Sequence, residues 1–257
     1  MRVGIIGLGA MGSAIASGLI KKEMEVILFN RNKDKLDRFR DNKNVECASS
    51  MKELAKNSDC IILAVKPYVY QLVADEIYEE IGEKIIISIA PSFTIESFNK
   101  IFPDKKFVLA MPNTPAMVLA GLTGICPNDK IDDTELKDIV EIFNALGETA
   151  IINEKEFPAF LAATSSMPAF IAMFIEAASD AAVYEGMKRQ DSYDFIAEAM
   201  IGTAKLIKEK MHPAELKDMV SSPGGTTIEG VRSLEQGGFR SAVMQAIIST
   251  AEKSKNM

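Results

Sequence analysis

Short, almost wholly apolar runs alternate with amphipathic stretches through the first 150 or so residues, and the alternation stops near residue 153. The residues leading into Gly7 form one such run, and Glu25–Phe29, Cys60–Val65, Lys84–Ile89 and Lys106–Met111 form others. Runs this short and uniformly apolar fit strands covered on both faces, as in a parallel sheet. Between them the spacing predicts helices: one after Gly12, then Tyr68–Glu80 and Thr94–Ile101. Ser50-Met-Lys-Glu53 carries the spacing of a capping box. Asp132-Asp-Thr-Glu135 opens a helix with Leu136, Ile139, Val140 and Phe143 on one face, Gly147 closes it, and Glu148–Ile152 reads as a last strand. Strand and helix in turn predict an α/β fold, a Rossmann-type dinucleotide-binding domain over residues 1–152.

From 153 to 257 only helical periodicity remains, so an all-α domain follows with no flexible linker. Phe195, Ile196, Ala199, Thr203, Leu206 and Ile207 share one helical face, Pro213 starts another helix, and Val243, Ala246, Ile247, Thr250 and Ala251 make a last stripe. These stripes read as core or subunit interface. Leu161–Val183 approaches the length of a membrane span, but Pro168, Glu176 and Asp180 interrupt it, which favours a buried helix within or between subunits.

Composition narrows the function classes. A net charge of −7 argues against nucleic acid or an anionic membrane surface as the main partner. Cys47, Cys60 and Cys126 are odd in number and widely spaced, which reads as reduced thiols in a cytoplasmic protein. His212 is the single histidine, so neither a His-based triad nor a multi-His metal site is expected. The apolar opening has no basic leader and runs straight into a glycine motif, unlike a signal peptide.

That motif is Gly7-Leu8-Gly9-Ala10-Met11-Gly12, placed between a strand and a helix as a dinucleotide fold requires. Gly7 makes the tight turn, Gly9 lets a pyrophosphate approach, and Gly12 permits close helix packing. The second strand ends in Asn30-Arg31-Asn32, where an NAD site usually has an acidic residue. A guanidinium there suits a 2′-phosphate, with the asparagines as amide donors, so NADP(H) is preferred over NAD(H). The other strand ends, Ala64–Lys66, Ile89–Ala90 and Pro112–Thr114, point at the same crevice. The remaining feature is Lys217–Arg240, KDMVSSPGGTTIEGVRSLEQGGFR. Locally it is a helix–loop–helix corner with capping threonines, or a helix N-terminus whose free donors suit a small anion.

With these residues in view the chain resembles the pyrroline-5-carboxylate reductase family over essentially its full length. The markers are Gly7-Leu-Gly9-Ala-Met-Gly12, Ala64-Val65-Lys66-Pro67 and Met111-Pro-Asn113-Thr-Pro115, and above all Lys217-Asp-x-Val220-x-Ser222-Pro-Gly-Gly-Thr-Thr227 with Leu234-Glu235 and Gly238-Phe239-Arg240. The resemblance implies reduction of the C=N bond of 1-pyrroline-5-carboxylate by NAD(P)H, giving L-proline. It implies an obligate homodimer of interlocked helical halves, often assembled further into a decamer, with the active site completed by the partner subunit. It assigns the substrate's ring nitrogen to the Thr227 hydroxyl and its carboxylate to the peptide groups of Gly225 and Thr226. It places Glu154 near substrate and nicotinamide, while strand-end position puts Ala64, Val65, Lys66, Pro67, Ala90 and Asn113 around the cofactor. Two departures stand out. Thr164-Ser165-Ser166-Met167-Pro168-Ala169 replaces the family's Ser-Gly-Ser-Gly-Pro-Ala, and Pro158 replaces an aspartate. They keep open a reductase of a related cyclic imino acid, or a catalytically weak NADP(H)-binding paralogue.

Overall fold

The computed structural model describes residues 1–256. Eight strands form one sheet: β1 (Val3–Ile6), β2 (Val26–Phe29), β3 (Val45–Cys47), β4 (Cys60–Leu63), β5 (Ile85–Ser88), β6 (Phe107–Met111), β7 (Gly121–Pro127) and β8 (Gly147–Ile151). Their order is β3-β2-β1-β4-β5-β6-β7-β8. The first six are parallel, β7 runs antiparallel to β6, and β8 is parallel to β7. The strand order reverses between β1 and β4, which is the switch point where such sheets bind ligands.

Period-two alternation sorts the strand side chains onto two faces. Val3, Ile5, Val26, Leu28, Ile62 and Ile87 meet α1 (Ala10–Lys21), α2 (Asp34–Arg40) and α6 (Asp133–Asn144). Ile6, Ile27, Ile61, Leu63, Ile86 and Leu109 meet α3 (Met51–Asn57), α4 (Tyr70–Ile81) and α5 (Ile95–Ile101). With both faces covered, every residue of β1, β4, β5 and β6 is buried, which explains the uninterrupted apolar runs. After β8 come the one-turn α7 (Phe157–Phe160), a π-helical turn over Leu161–Ser165, and then α8 (Met167–Tyr184), α9 (Arg189–Lys208), α10 (Pro213–Met219), α11 (Thr226–Gln236) and α12 (Phe239–Lys255).

Two strands depart from the expected pattern. β3 has three residues and lies at the sheet edge, too short to give a periodic signal. β7 contains Gly121 and Gly124 and ends at Pro127, a composition that reads as a loop. Gly124 is there for packing: a Cβ would stand 2.6 Å from the Phe160 ring. The capping box at Ser50 also differs from expectation. Ser50 Oγ accepts from Glu53 N at 3.1 Å, but the Glu53 carboxylate reaches one residue further back, to the N–H of Ser49 at 2.6 Å and to its hydroxyl. These bonds, the hydroxyl's first, hold the Glu53 carboxyl below its ordinary pKa.

The chain divides into two compact units, one of residues 1–165 with 251–257 and the other of 166–250. The second unit differs from the first in burial. In α8 and α9 only Ser179 and Ser192 are buried; their hydroxyls meet at 2.6 Å, and Arg189 donates to Ser179 at 2.8 Å. Apolar residues of the same unit stand open, among them Met173 at 68%, Tyr184 at 88% and Phe195 at 61% exposure. The run 154–184 contains an 18-residue window with a mean hydropathy of 1.6, long and apolar enough for a membrane span by those criteria alone. Within one chain only 6% of its most apolar window is buried, so the helix expected to be covered is bare in the isolated subunit.

Candidate active site

Parallel pairing brings the expected turns side by side. Ile6 pairs with Leu63 and Leu63 with Ser88, so Gly7, Ala64 and Ile89 leave the sheet at one edge. Gly7 has φ +104°, and a Cβ on it would lie 2.7 Å from the Ala64 carbonyl oxygen. A Cβ on Gly12 would lie 2.1 Å from the Gly7 carbonyl oxygen, so α1 packs on its own entry loop as only glycine allows. Gly9, the N-cap of α1, differs: its Cβ direction is open space to 4 Å. Nothing in the protein requires glycine there. A ligand group lying against the backbone of the helix N-terminus would, and a diphosphate fits that place by shape and by the charge of the free N–H groups.

Asn30 also has a structural task. Its Oδ1 accepts the Leu8 N–H at 2.9 Å and its Nδ2 donates to the Asn32 carbonyl at 2.7 Å. Asn32 Oδ1 in turn accepts the Asp34 N–H at 3.0 Å, opening α2. Asn30 therefore ties the glycine loop to the end of β2, Asn32 opens α2, and the Arg31 side chain between them is exposed. An open cleft of about 400 Å³ runs beside this loop, lined by Leu8, Gly9, Ala10 and Ser13 and, from α2, Lys35 and Arg38. Lys35 and Arg38 belong to no motif visible in the sequence; both lie on α2, which begins after Arg31.

Across the switch point, Lys66 and Pro67 are exposed and start a 3₁₀ turn through Val69, Ala64 and Val65 are half-buried, and Ala90 is buried. Asn113 follows β6 and is 8% exposed. Its Oδ1 accepts the Leu122 N–H at 2.9 Å, and its Nδ2 donates to the Thr164 carbonyl at 3.2 Å. It thus clamps the π-helical turn to the start of β7. Replacing Asn113 by alanine leaves a buried donor and an acceptor unpaired, and a loss of about 1–3 kcal/mol in stability by denaturant unfolding is the expected result. A midpoint equal to the wild type would exclude the clamp.

Glu154 also holds structure. Its Oε1 accepts the Ile95 N–H at 2.5 Å, placing the carboxylate at the start of α5. Cys126 lies close by; burial, more than the Glu154 charge, raises its thiol pKa.

In the helical unit, Pro223 and Gly224, with φ +68°, turn the chain after α10. Gly225 caps α11, and its own N–H is spent on the Ser222 carbonyl at 3.0 Å. No side chain caps α11. The N–H groups of Thr226, Thr227 and Ile228 open the helix without intrahelical acceptors, and both threonines are exposed. The corner is therefore a helix start without a side-chain cap, with the hydroxyls of Thr226 and Thr227 in its first turn, an arrangement that suits a small anion. His212 is occupied elsewhere: its Nδ1 accepts the Ala214 N–H at 3.2 Å and caps α10.

Comparisons with known proteins agree with both halves of this description. Residues 154–257 match the family described as pyrroline-5-carboxylate reductase dimerisation, so the chain carries a dimerisation domain, and residues 2–92 match NADP oxidoreductase, coenzyme F420-dependent. Pyrroline-5-carboxylate reductase of Escherichia coli (strain K12) is 40% identical, over 100% of this chain and 98% of that protein. The enzyme of Synechocystis is 36% identical over 100% and 98%. Among solved structures, Plasmodium falciparum pyrroline carboxylate reductase with NADP bound superposes at a TM-score of 0.89 and 33% identity, covering 100% of this chain and 97% of that one. A Coxiella burnetii pyrroline-5-carboxylate reductase gives a TM-score of 0.92 at 29% identity, covering 99% and 97%. With identity at this level along its whole length, the chain belongs to the pyrroline-5-carboxylate reductase family.

Proposed function

We propose that the protein reduces the C=N bond of 1-pyrroline-5-carboxylate with NADPH to give L-proline, the last step of proline biosynthesis. The observation that carries this reading is full-length identity of 36–40% to reductases of that name, in a chain that keeps the open cradle at Gly9 and the uncapped start of α11. Bound NADPH supplies the hydride, delivered from its nicotinamide to the imine carbon. The chain's own residues bind and orient. Gly7–Gly12 receives the diphosphate, Arg31 the 2′-phosphate, and Ala64–Pro67, Ala90 and Asn113 surround the remainder of the cofactor. The Thr226 N–H, with the peptide at Gly225, takes the substrate carboxylate, and the Thr227 hydroxyl hydrogen-bonds the ring nitrogen. An imine becomes strongly electrophilic once its nitrogen is protonated; that proton comes from water or is carried by the substrate itself, and the Thr227 hydroxyl, hydrogen-bonded to the nitrogen, orients it. Glu154 acts on this site through the start of α5, whose first N–H it holds.

We place the functional boundary at residue 152/153, supported by the dimerisation match beginning at 154. A homodimer is supported by that match and by the bare apolar helices, and assembly of dimers into a decamer is its extension. A cytoplasmic location accords with three free cysteines. The test is NADPH oxidation with 1-pyrroline-5-carboxylate, followed at 340 nm and by proline formation; absence of both sinks the reading. A second reading, a six-membered cyclic imino acid as substrate, draws on the altered Thr164–Met167 segment. There the backbone takes a π-helical turn, and Ser165 Oγ is buried with no hydrogen-bond partner among the described residues. Turnover of the two ring sizes decides between them.

Cofactor choice is tested at Arg31. Arg31→Ala removes charge-assisted hydrogen bonds to a 2′-phosphate worth about 1.5–3 kcal/mol, so the NADPH KM should rise roughly 10- to 100-fold while the NADH KM stays within twofold. Equal losses with both cofactors would take the 2′-phosphate away from Arg31.

A further inference from the structure

Leu63 ends β4, Ser88 ends β5 and Tyr70 begins α4, and their polar atoms meet in an otherwise apolar cluster. Tyr70 Oη lies 2.9 Å from the Leu63 carbonyl oxygen and 3.0 Å from Ser88 Oγ, and the Ala90 N–H lies 3.3 Å from Ser88 Oγ. Tyr70, Ser88 and Leu63 are each 0% exposed. Donor identities follow from chemistry. A carbonyl only accepts, so the Tyr70 proton points at Leu63, and the Ser88 proton must then point at Tyr70. The Ser88 lone pair is left for the Ala90 N–H. The result is a one-way chain, Ala90 to Ser88 to Tyr70 to Leu63, while the Ile89 N–H also reaches the Leu63 carbonyl at 3.4 Å. The Tyr70 ring is held by Phe93 and Phe98, with centroids 4.6 and 6.0 Å away. Burial, the largest influence, pushes the Tyr70 phenol above its ordinary pKa, so it stays a neutral donor.

Apolar side chains would fill this volume without the desolvation that two hydroxyls cost. What the hydroxyls add is a fixed distance between two strand ends, and those ends lead into Ala64–Pro67 and Ala90. We infer that Tyr70 and Ser88 are positioning residues for the reaction, setting the separation of the two turns that flank the nicotinamide and touching neither cofactor nor substrate. The inference rests on the proposed cofactor site.

Tyr70→Phe and Ser88→Ala in the full-length protein test it, because each removes a hydroxyl and preserves the apolar packing. Hydrogen exchange over residues 88–93 of the unliganded protein should show the Ala90 amide exchanging about tenfold faster in Ser88→Ala. With NADPH bound, both variants should lose the nicotinamide fluorescence shift while NADPH affinity stays within threefold of the wild type. In turnover, kcat should fall about tenfold, and the isotope effect from 4-deuterated NADPH should rise as hydride transfer becomes limiting. A variant that is less heat-stable but unchanged in bound fluorescence, kcat and isotope effect would show a merely structural tie and overturn the inference. Unchanged Ala90 exchange in Ser88→Ala would overturn it also. If the wild type reduces no imine, the proposed function fails by itself, and the exchange and fluorescence measurements still decide the role of the hydroxyl chain.

Discussion

Gly12→Ala is expected to abolish tight NADPH binding and to lower the melting temperature, and Gly9→Ala to do only the first. At Gly12 the new methyl would stand 2.1 Å from the Gly7 carbonyl oxygen and 2.9 Å from Ala64 Cβ. The nearer atom belongs to the backbone of a loop pinned on both sides. Gly7 N–H donates to the Phe29 carbonyl at 2.9 Å, and Leu8 N–H to Asn30 Oδ1 at 2.9 Å. Relief therefore requires α1 to move away from β1 and β4, at about 1–3 kcal/mol or more, and the helix N-terminus moves with it. A loss of at least roughly a hundredfold in NADPH affinity is expected, because displaced N–H groups no longer converge on the diphosphate. At Gly9 the methyl meets only open space, so the protein should melt like the wild type, yet bind NADPH far more weakly because the methyl occupies the cofactor's place. Fluorescence titration and thermal melts of the two variants separate these effects. Wild-type NADPH affinity in Gly9→Ala would mean that the diphosphate lies elsewhere.

Thr227→Ala should cost roughly a hundredfold in kcat/KM for the imine, comparable to the removal of one preorganised donor from a site of developing charge. NADPH affinity should not change, because the glycine loop carries it. Thr227 lies one residue into the first turn of α11 and is exposed, so the substitution leaves no cavity and the fold should be unaffected. Thr227→Ser keeps the hydroxyl and should recover most of the activity. If Thr227→Ala retained the wild-type kcat/KM, the ring nitrogen would have to find its donor in the backbone or in water. An equal deficit in Thr227→Ser and Thr227→Ala would point instead to the methyl group and to packing.

The parts of the fold that were legible in the sequence share a local cause. Buried parallel strands appear as apolar runs, and Gly7, Gly9 and Gly12 identify themselves by their fixed spacing between a strand and a helix, although a Cβ would meet the Ala64 carbonyl at Gly7, the Gly7 carbonyl at Gly12 and only open space at Gly9. What stayed hidden depends on partners far along the chain. The Asn30 side-chain oxygen accepts the N–H of Leu8, 22 positions away, while its amide nitrogen donates to the Asn32 carbonyl. Asn113 looked like a crevice residue, and its amide joins Leu122 to Thr164, 51 positions on. Glu154 occupies the start of α5, 59 positions back. A side chain that bonds to a distant backbone group leaves no periodic trace, because only the tertiary fold brings donor and acceptor together. Ser88 was hidden for another reason. It ends the run Ile85-Ile-Ile-Ser88, where a terminal serine reads as the edge of a strand and gives no sign of a buried hydroxyl.

The pair Ser179–Ser192 is the only fully buried one that α8 and α9 contribute among the described residues, and two hydroxyls with a guanidinium make a poor reason for a helical hairpin to exist alone. The apolar area that must offset the conformational entropy of ordering those helices lies on their outer faces. Folding of the helical half is therefore expected to depend on a second chain, by mass action. The melting temperature of this protein should climb with its concentration.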